Sequence, residues 1–364
     1  MGIKKENLGY DNFFEQARLE LGLENFPVAR VISQQRDNYK VINQDGELFA
    51  KITGKQMFLA SFKEDYPAVG DWVVIEKIDN NHALINAVLK RKTIIKRKFG
   101  DKNKIGRKDE VQIIAANVYV AFVVESVDRD YNLNRLERYL AITKSGGVKP
   151  AIILNKIDLI SSEDYQDKLN ELNRRFVGVD VIVTSAIEDS GFDQLVKYIK
   201  SGLTYCFLGS SGVGKSSLIN KLLGKEVAKT GAISMHSERG KHITTNRQMY
   251  FLEGGGILID NPGMREVGLT DAGCGVDAAF DQIALLARSC RFPNCSHVQE
   301  PGCEVIKAVK LGELDSEKYS NYLELKKEND YYEMNNYEKR ESDKKFGKFM
   351  KKAKEDLKKY NSKY

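Results

Sequence analysis

The sequence predicts a multidomain protein: a small N-terminal OB-like β-barrel, a central α/β domain and a C-terminal helical domain. Three observations predict this order. Short β-rich runs come first, apolar runs that alternate with helical patterns follow, and charged helical sequence surrounds a cysteine cluster at the end. The 364 residues suggest two or three domains at roughly 100–200 residues each. With 42% apolar and 9% aromatic residues, the composition excludes general disorder.

The N-terminal segment, residues 1–25, is predicted to be a helical extension. Phe13, Phe14, Ala17 and Leu21 recur at helical spacing, which indicates a short amphipathic helix over residues 10–24. The segment carries acidic residues early and lacks the apolar run of a signal peptide. Since the sequence holds no apolar run of about 18 residues, we expect no membrane contact and a cytoplasmic protein.

Residues 26–95 are predicted to form the OB-like barrel. Five short β-rich runs occur there, separated by turn signals such as Asp45-Gly46 and Gly70-Asp71. An SH3-like barrel would give much the same pattern, so the sequence leaves the type of barrel open. OB barrels often bind nucleic acid, but a fold alone does not establish a function.

Residues 111–270 are predicted to form the α/β domain, behind a basic linker at residues 96–110. Apolar runs alternate there with helical patterns, which is typical of a mostly parallel sheet. The predicted strands are VYVAFVV at 118–124, AIIL at 151–154, VDVIVTS at 179–185 and YCFLG at 205–209, and the predicted helices cover 132–144, 163–176 and 191–200.

Positive charge is concentrated in two segments. Residues 90–108 hold ten Lys or Arg and one acidic residue, and residues 339–364 hold eleven and four. Because the whole chain has a net charge of +6, the remainder is acidic overall. This distribution suggests contact with a polyanion, while a solvated linker and a solvated tail are the alternative.

A glycine-rich loop lies between a predicted strand and a predicted helix and fits the phosphate-loop pattern GxxxxGK[ST]. Its glycines let backbone N–H groups curl around phosphate oxygens. Lys215 can reach the β- and γ-phosphates, and the Ser216 hydroxyl can ligate Mg²⁺. The predicted nucleotide-binding residues here are Gly209, Ser210, Ser211, Gly212, Val213, Gly214, Lys215, Ser216 and Ser217.

The sequence NKID, directly after the predicted strand AIIL, predicts which base is bound. A carboxylate at Asp158 can accept from guanine N1–H and N2–H₂, and adenine offers no such pair of donors. Asn155 fits the acceptor edge of guanine, and the Lys156 stem can cover the ring. Ser185 and Ala186, at the end of a later strand, supply the usual backbone companion for the guanine oxygen. An ATPase is a weaker alternative, against which Asp158 argues.

A second strand-end motif predicts a magnesium site. Asp260 begins a DxxG sequence and can reach Mg²⁺ through water, while the Gly263 N–H is placed for the γ-phosphate. A threonine in the segment between the phosphate loop and the DxxG sequence could complete the Mg²⁺ shell and sense the γ-phosphate. The choice between Thr244 and Thr245 stays open, and Ser216 is the remaining predicted ligand.

The motifs occur in an unusual order. In a standard GTPase the guanine motif and the Ser-Ala sequence follow the phosphate loop, whereas here both precede it. This indicates a circularly permuted P-loop GTPase domain. A core can survive permutation because the elements keep their spatial neighbours and only the linkers change.

Residues 271–364 are predicted to form a zinc-binding and basic helical domain. Cys290, Cys295, His297 and Cys303 place four soft ligands within 14 residues. Three thiolates and one imidazole match a closed structural Zn²⁺ site, which leaves no position for a catalytic water. Reduced core cysteines beside an incidental histidine are the alternative.

The permuted order, with a barrel ahead and a cysteine cluster behind, resembles the ribosome small-subunit-dependent GTPase A family of bacteria. The resemblance covers about residues 27–320 and includes NKID, SSGVGKSS, GKHITT, DNPGMRE and the cysteine spacing. It implies an enzyme that hydrolyses GTP to GDP and phosphate late in small-subunit maturation. It also implies stimulation by the ribosome and, as partners, the small ribosomal subunit and its rRNA. Ile243 stands where the family usually has a further threonine.

The group that orients the attacking water is the least defined. Met264 occupies the position after DxxG, where Ras-like enzymes carry a glutamine. We predict His242 as the catalytic residue beside Lys215, with Arg239, Arg265 or a ribosomal group as alternatives. The rival function is an rRNA-binding assembly module in which nucleotide is mainly a structural ligand. We expect a monomer.

Overall fold

A computed structural model gives the fold of the protein. It describes residues 4–35, 37–99, 110–128, 131–188, 190–226, 247–260 and 273–334, together with residues 338, 341 and 344. The chain divides into two compact units, residues 1–268 and 269–364. In the described part of the chain, no helix has the length and apolar character needed to cross a membrane.

The first unit contains thirteen strands and six helices among its described residues. The strands are β1 (Val28–Gln35), β2 (Asn38–Asn43), β3 (Gly46–Ile52), β4 (Trp72–Lys77), β5 (His82–Val88), β6 (Ile94–Phe99), β7 (Glu110–Ala116), β8 (Val120–Ser126), β9 (Lys149–Asn155), β10 (Asp180–Thr184), β11 (Thr204–Leu208), β12 (Arg247–Phe251) and β13 (Ile257–Asp260). The helices are α1 (Asn12–Glu20), α2 (Gly54–Leu59), α3 (Leu133–Ser145), α4 (Ser162–Arg175), α5 (Phe192–Tyr198) and α6 (Lys215–Leu223). Short 3₁₀ turns cover Lys5–Leu8, Lys63–Asp65 and Ile157–Leu159.

Strands β1 to β5 close into the predicted barrel. β1 pairs with both β2 and β4, β2 pairs with β3, and β4 pairs with β5, all antiparallel, while β3 and β5 are parallel. This closure in the order 1-2-3-5-4 fits the Greek-key OB barrel and answers the question that the sequence left open. Alternation along β3 explains the fold locally, because Leu48, Ala50 and Ile52 are buried while Phe49 and Lys51 face solvent.

The α/β part has the strand order β10-β9-β8-β11-β13-β12, in which every pairing except that of β12 with β13 is parallel. All seven residues of β8 are buried, as expected for a parallel strand covered on both faces. Phe122, Phe207 and Leu218 belong to the hydrophobic core of this layer. The mostly parallel sheet predicted from the sequence is therefore confirmed.

The structure adds a two-stranded antiparallel hairpin, β6 and β7, which the sequence did not indicate. The predicted basic linker, residues 96–110, begins and ends in these strands, and residues 100–109 lie outside the described part. The apolar positions explain the hairpin, since Ile95 and Ala115 are paired and fully buried. Dense Lys and Arg between them obscured this pattern. The exact domain boundaries stay predictions.

The second unit is helical over its described residues. Its helices are α7 (Gly273–Ala279), α8 (Asp281–Ala287), α9 (Glu304–Lys310) and α10 (Ser316–Glu333). The Asp315 side chain caps α10 by accepting from two backbone N–H groups of its first turn. The Phe280 and Tyr322 rings pack edge to face with centroids 5.4 Å apart. Most of the predicted basic tail, residues 339–364, lies outside the described residues.

Candidate nucleotide and metal sites

The sheet brings four sequence motifs to one edge. The phosphate loop follows β11, NKID begins at the last residue of β9, the Thr-Ser-Ala sequence begins at the last residue of β10, and Asp260 ends β13. Neighbouring parallel strands point in the same direction, so their carboxyl ends meet where ligands of open α/β sheets bind. Motifs that are far apart in the chain therefore form one candidate site.

The phosphate loop needs its glycines for steric reasons. Gly209 has φ of 139°, and a Cβ at this position would lie 2.3 Å from the Val124 carbonyl oxygen. Gly214 has φ of 98°, and a Cβ there would lie 2.1 Å from Asn155 Nδ2. The loop ends at Lys215, the first residue of α6, whose N-terminal N–H groups favour an anion.

Lys215 folds back over the loop. Its Nζ donates to the Gly209 carbonyl at 2.7 Å and to the Ser210 carbonyl. Burial lowers the pKa of Lys215 to about 8, while the Asp260 and Glu125 carboxylates act in the opposite direction. Phosphate bound in the loop would add negative charge and favour the protonated amine. The structure thus places the Lys215 amine at the predicted phosphate loop.

Asn155 joins three motifs rather than facing solvent. The side chain is fully buried, and its Nδ2 donates to the Val213 carbonyl of the phosphate loop at 2.9 Å. The Thr184 hydroxyl donates to Asn155 Oδ1 at 2.9 Å. This residue therefore holds the phosphate loop against the two guanine-site loops. Its direct contact with guanine stays a prediction.

Asp158 is oriented by Ser185. The Ser185 hydroxyl donates to Asp158 Oδ1 at 2.6 Å. The backbone N–H groups of Ile187 and Glu188 in turn donate to Ser185 Oγ, at 3.2 and 3.0 Å. Sequence reasoning gave Ser185 only a backbone role, whereas the structure shows that its side chain fixes the carboxylate predicted to select guanine.

Two supporting side chains were missed by sequence reasoning. Lys221 on α6 donates to the Ala186 carbonyl at 3.1 Å and so ties the Ser-Ala loop to the phosphate-loop helix. Asp128, just beyond β8, forms an ion pair with Lys156 at 2.7 Å. Neither belongs to a motif. For Asp128, the available signal in the sequence was an acidic residue shortly after a predicted strand whose carboxyl end lies at the edge where ligands bind.

The predicted magnesium and catalytic residues are only partly described. Ser216 and Ser217 lie in the first turn of α6, and Asp260 lies at the end of β13. The remaining predicted residues, His242, Thr244, Thr245 and Gly263, lie outside the described residues. Their roles stay predictions from the sequence.

The four predicted metal ligands converge in the second unit. One donor atom from each of Cys290, Cys295, His297 and Cys303 lies within 4.8 Å of all the others. The Cys290 and Cys303 sulfurs are 3.8 Å apart, and His297 Nδ1 lies 3.7 and 3.5 Å from them. A tetrahedral ion with bonds of about 2.3 Å requires sulfurs about 3.8 Å apart, so the cluster fits a metal ion of that size.

The backbone around the cluster is fixed by local contacts. His297 has φ of 61°, and the Tyr319 hydroxyl donates to its carbonyl at 2.5 Å. The Cys303 sulfur caps α9 by accepting from the Ile306 N–H at 3.5 Å. Burial raises the pKa of Cys295 to about 11 and lowers the pKa of His297. A bound cation would favour the thiolate and the neutral imidazole that coordination requires.

Comparison with known proteins decides the family. The family model for the RsgA GTPase matches residues 88–270, half of the chain. The chain belongs to the RsgA GTPase family. It is therefore a GTPase, a hydrolase, and the resemblance seen in the sequence is confirmed.

Curated relatives match this RsgA GTPase over most of its length. "Small ribosomal subunit biogenesis GTPase RsgA 2" of Lactiplantibacillus plantarum is 40% identical over 308 residues, 85% of each chain. "Small ribosomal subunit biogenesis GTPase RsgA 1" of Bacteroides thetaiotaomicron is 36% identical over 345 residues, 94% of each chain. The match thus extends beyond the nucleotide domain to the barrel and the metal cluster.

Solved structures share the fold of this RsgA GTPase. YjeQ from Thermotoga maritima superposes with a TM-score of 0.61 at 24% identity, over 83% of this chain and 98% of its own. YloQ, described as a circularly permuted GTPase, gives 0.59 at 22% identity, over 86% and 98%. Together with the strand order, these matches confirm the permuted fold.

Proposed function

We propose that this GTPase acts in late maturation of the small ribosomal subunit and that binding to the subunit accelerates hydrolysis. The names of the relatives, which match 85% or more of the chain, support the subunit as partner. One structural observation supports stimulation. Barrel strand β1 pairs with β12 through Ser33–Gln248 and Gln34–Arg247, so the two parts share one sheet.

This pairing supports a route from the barrel to the predicted Mg²⁺ ligands. β12 begins at Arg247, two residues after Thr245 of the predicted switch, and pairs with β13, which ends at Asp260. A ligand that moves or orders the barrel can therefore act on the predicted Mg²⁺ ligands through backbone hydrogen bonds. In this proposal GTP, Mg²⁺ and the switch residues form the active centre, and subunit docking orders it.

Turnover with and without small ribosomal subunits tests the proposal. We expect slow intrinsic GTP hydrolysis and a large increase on adding subunits, with His242→Ala retaining GTP and subunit binding but losing most of the increase. Equal turnover in both conditions would favour the rival, an rRNA-binding module with a structural nucleotide. A stimulated rate of the variant within about twofold of wild type, under about 0.4 kcal/mol of barrier, would exclude His242.

The outer barrel face supports rRNA as the contacted component. Lys40, Phe49 and His82 form a row across β2, β3 and β5, because Phe49 is the register partner of both neighbours. Phe49 is 60% exposed, and its ring centroid lies 6.3 Å from that of His82. An exposed aromatic ring beside the ammonium of Lys40, which also pairs with Glu47, suits stacking of an unpaired base and contact with its phosphate.

Replacing Phe49 with alanine is expected to weaken subunit binding about fivefold to a hundredfold, since one base stack contributes roughly 1–3 kcal/mol. GTP affinity should stay unchanged. Val177→Ala is the matched control, because Val177 is 78% exposed and lies between α4 and β10.

Binding of the wild type to the subunit should also fall steeply with salt as counterions are released, and deletion of residues 339–364 should weaken this binding. Salt-independent binding would contradict the role of the basic segments.

The proposal also covers the bound metal ions, the cellular compartment and the oligomeric state. We assign one structural Zn²⁺ to the cluster of Cys290, Cys295, His297 and Cys303, supported by its donor set and sulfur spacing. Mg²⁺ would enter with GTP and be held by Ser216, Asp260 and a switch threonine. We place the activity in the cytoplasm, where the subunit is assembled, and expect the protein to act as a monomer.

A further inference from the structure

An ion pair joins the predicted guanine motif to a residue outside it. Lys156 Nζ and Asp128 Oδ2 are 2.7 Å apart, and each side chain is 29% exposed. Lys156 directly follows β9, and Asp128 lies two residues beyond β8, the neighbouring parallel strand. The pair therefore spans two strand ends at the edge where nucleotide is expected. No sequence motif includes Asp128.

The carboxylate of Asp128 is itself held in place. The buried Ser126 hydroxyl donates to Asp128 Oδ1 at 2.8 Å. Ser126 is the register partner of Asn155, and the Val127 N–H donates to the Asn155 carbonyl at 3.2 Å. The Tyr131 N–H donates to the Asp128 carbonyl at 3.0 Å. Asp128 thus presents a fixed acceptor that is tied to the strand carrying the guanine motif.

Lys156 occupies an unusual backbone conformation between two fixed neighbours. Its φ of 64° lies in the left-handed region of the backbone map. Non-glycine residues adopt this conformation at an energetic cost, and such strained residues cluster at functional sites. Asn155 before it is buried between two loops, and Asp158 after it is held by Ser185. Once the backbone is fixed in this way, the direction of the long lysine stem depends on where its ammonium is bound.

We propose that Asp128 is a positioning residue for guanine binding. It anchors the Lys156 ammonium, so the aliphatic stem is already ordered to cover the face of the base, and Asp128 itself does not contact the nucleotide. A side chain ordered in advance loses less entropy when the ligand binds. The inference rests on the assignment of residues 155–158 as the guanine site.

A double-mutant cycle on GDP affinity tests this role. Asp128→Asn is expected to weaken GDP binding about threefold to tenfold, the factor that corresponds to ordering one long side chain. Lys156→Met removes the ammonium but keeps an apolar stem. In that background Asp128→Asn should change the affinity by less than about twofold, because no ammonium remains to be anchored. The rate of hydrolysis at saturating GTP should not change in Asp128→Asn.

The control is Asp180→Asn. Asp180 pairs with Lys149 at 2.8 Å, also across neighbouring strands, but at the amino ends of β9 and β10. This variant should bind GDP as the wild type does. Equal losses for Asp128→Asn with Lys156 and with Met at position 156 would show a general structural role and overturn the proposal, as would no loss at all. Asp158→Asn in the same assay separates the two assignments, since unchanged GDP binding there would mean that the guanine assignment itself is wrong.

Discussion

Replacing Asp158 with asparagine will lower the affinity for GTP and GDP by about two to four orders of magnitude. The variant loses two charge-assisted hydrogen bonds to guanine, each worth roughly 1.5–3 kcal/mol. Xanthine nucleotides should bind better than guanine nucleotides, because the new amide can donate to the extra ring oxygen of xanthine. Titration of wild type and variant with GDP and XDP measures both effects.

The structure makes this substitution a clean test. Asp158 Oδ1 accepts from the Ser185 hydroxyl, and the amide oxygen of asparagine can accept the same hydrogen bond. The loop conformation and the melting temperature should therefore be close to those of the wild type. A variant that binds GDP with wild-type affinity would exclude Asp158 as the residue that selects guanine.

Replacing Cys295 with serine will remove the metal ion and loosen the second unit. Purified wild-type protein should carry about one Zn²⁺ per chain, and the variant should carry none, since a hydroxyl is a poor replacement for a thiolate ligand. The free energy of binding a structural metal contributes to the free energy of folding. The second unit of the variant should therefore unfold at a lower temperature than that of the wild type. GDP affinity should persist, because the phosphate loop and the guanine motif lie in the first unit. Elemental analysis, calorimetry and nucleotide titration measure the three effects.

Cys206→Ala is the control for the loss of a thiol. Cys206 is buried in β11, and burial raises its pKa far above that of a reactive thiol. Its removal should leave the metal content at that of the wild type. Freshly prepared wild-type protein without zinc, or a Cys295→Ser variant that retains it, would contradict the metal assignment.

The sequence indicated the residues of the candidate sites because the chemistry predicted for them is local. The turn around Gly209 and Gly214 needs glycine for steric reasons, so the requirement is visible in the sequence. The guanine motif likewise directly follows a predicted strand. The four residues of the cysteine cluster lie close to each other in the sequence. Helical spacing of apolar residues also predicted α1, and short β-rich runs between turn signals predicted the strands of the barrel.

Other features depended on pairings between distant segments. The hairpin of β6 and β7 forms because Ile95 meets Ala115 across a charged stretch in which the β pattern is weak. The roles of Asn155 and Ser185 as links between loops arise from the adjacency of β9, β10 and β11 with their helices. A local sequence pattern does not show with which buried acceptor a side chain will form a hydrogen bond in the folded chain.

The sequence alone determined the ligand class, the permuted order of motifs and the candidate metal ligands, because each is a short run of residue types with its own chemistry. Only the tertiary structure decided the OB closure of the barrel, its pairing with β12 and the ion pair of Lys156 with Asp128. These depend on strand register, which joins residues far apart in the chain. A register is set by the collective burial of whole strands rather than by the residues that then come into contact.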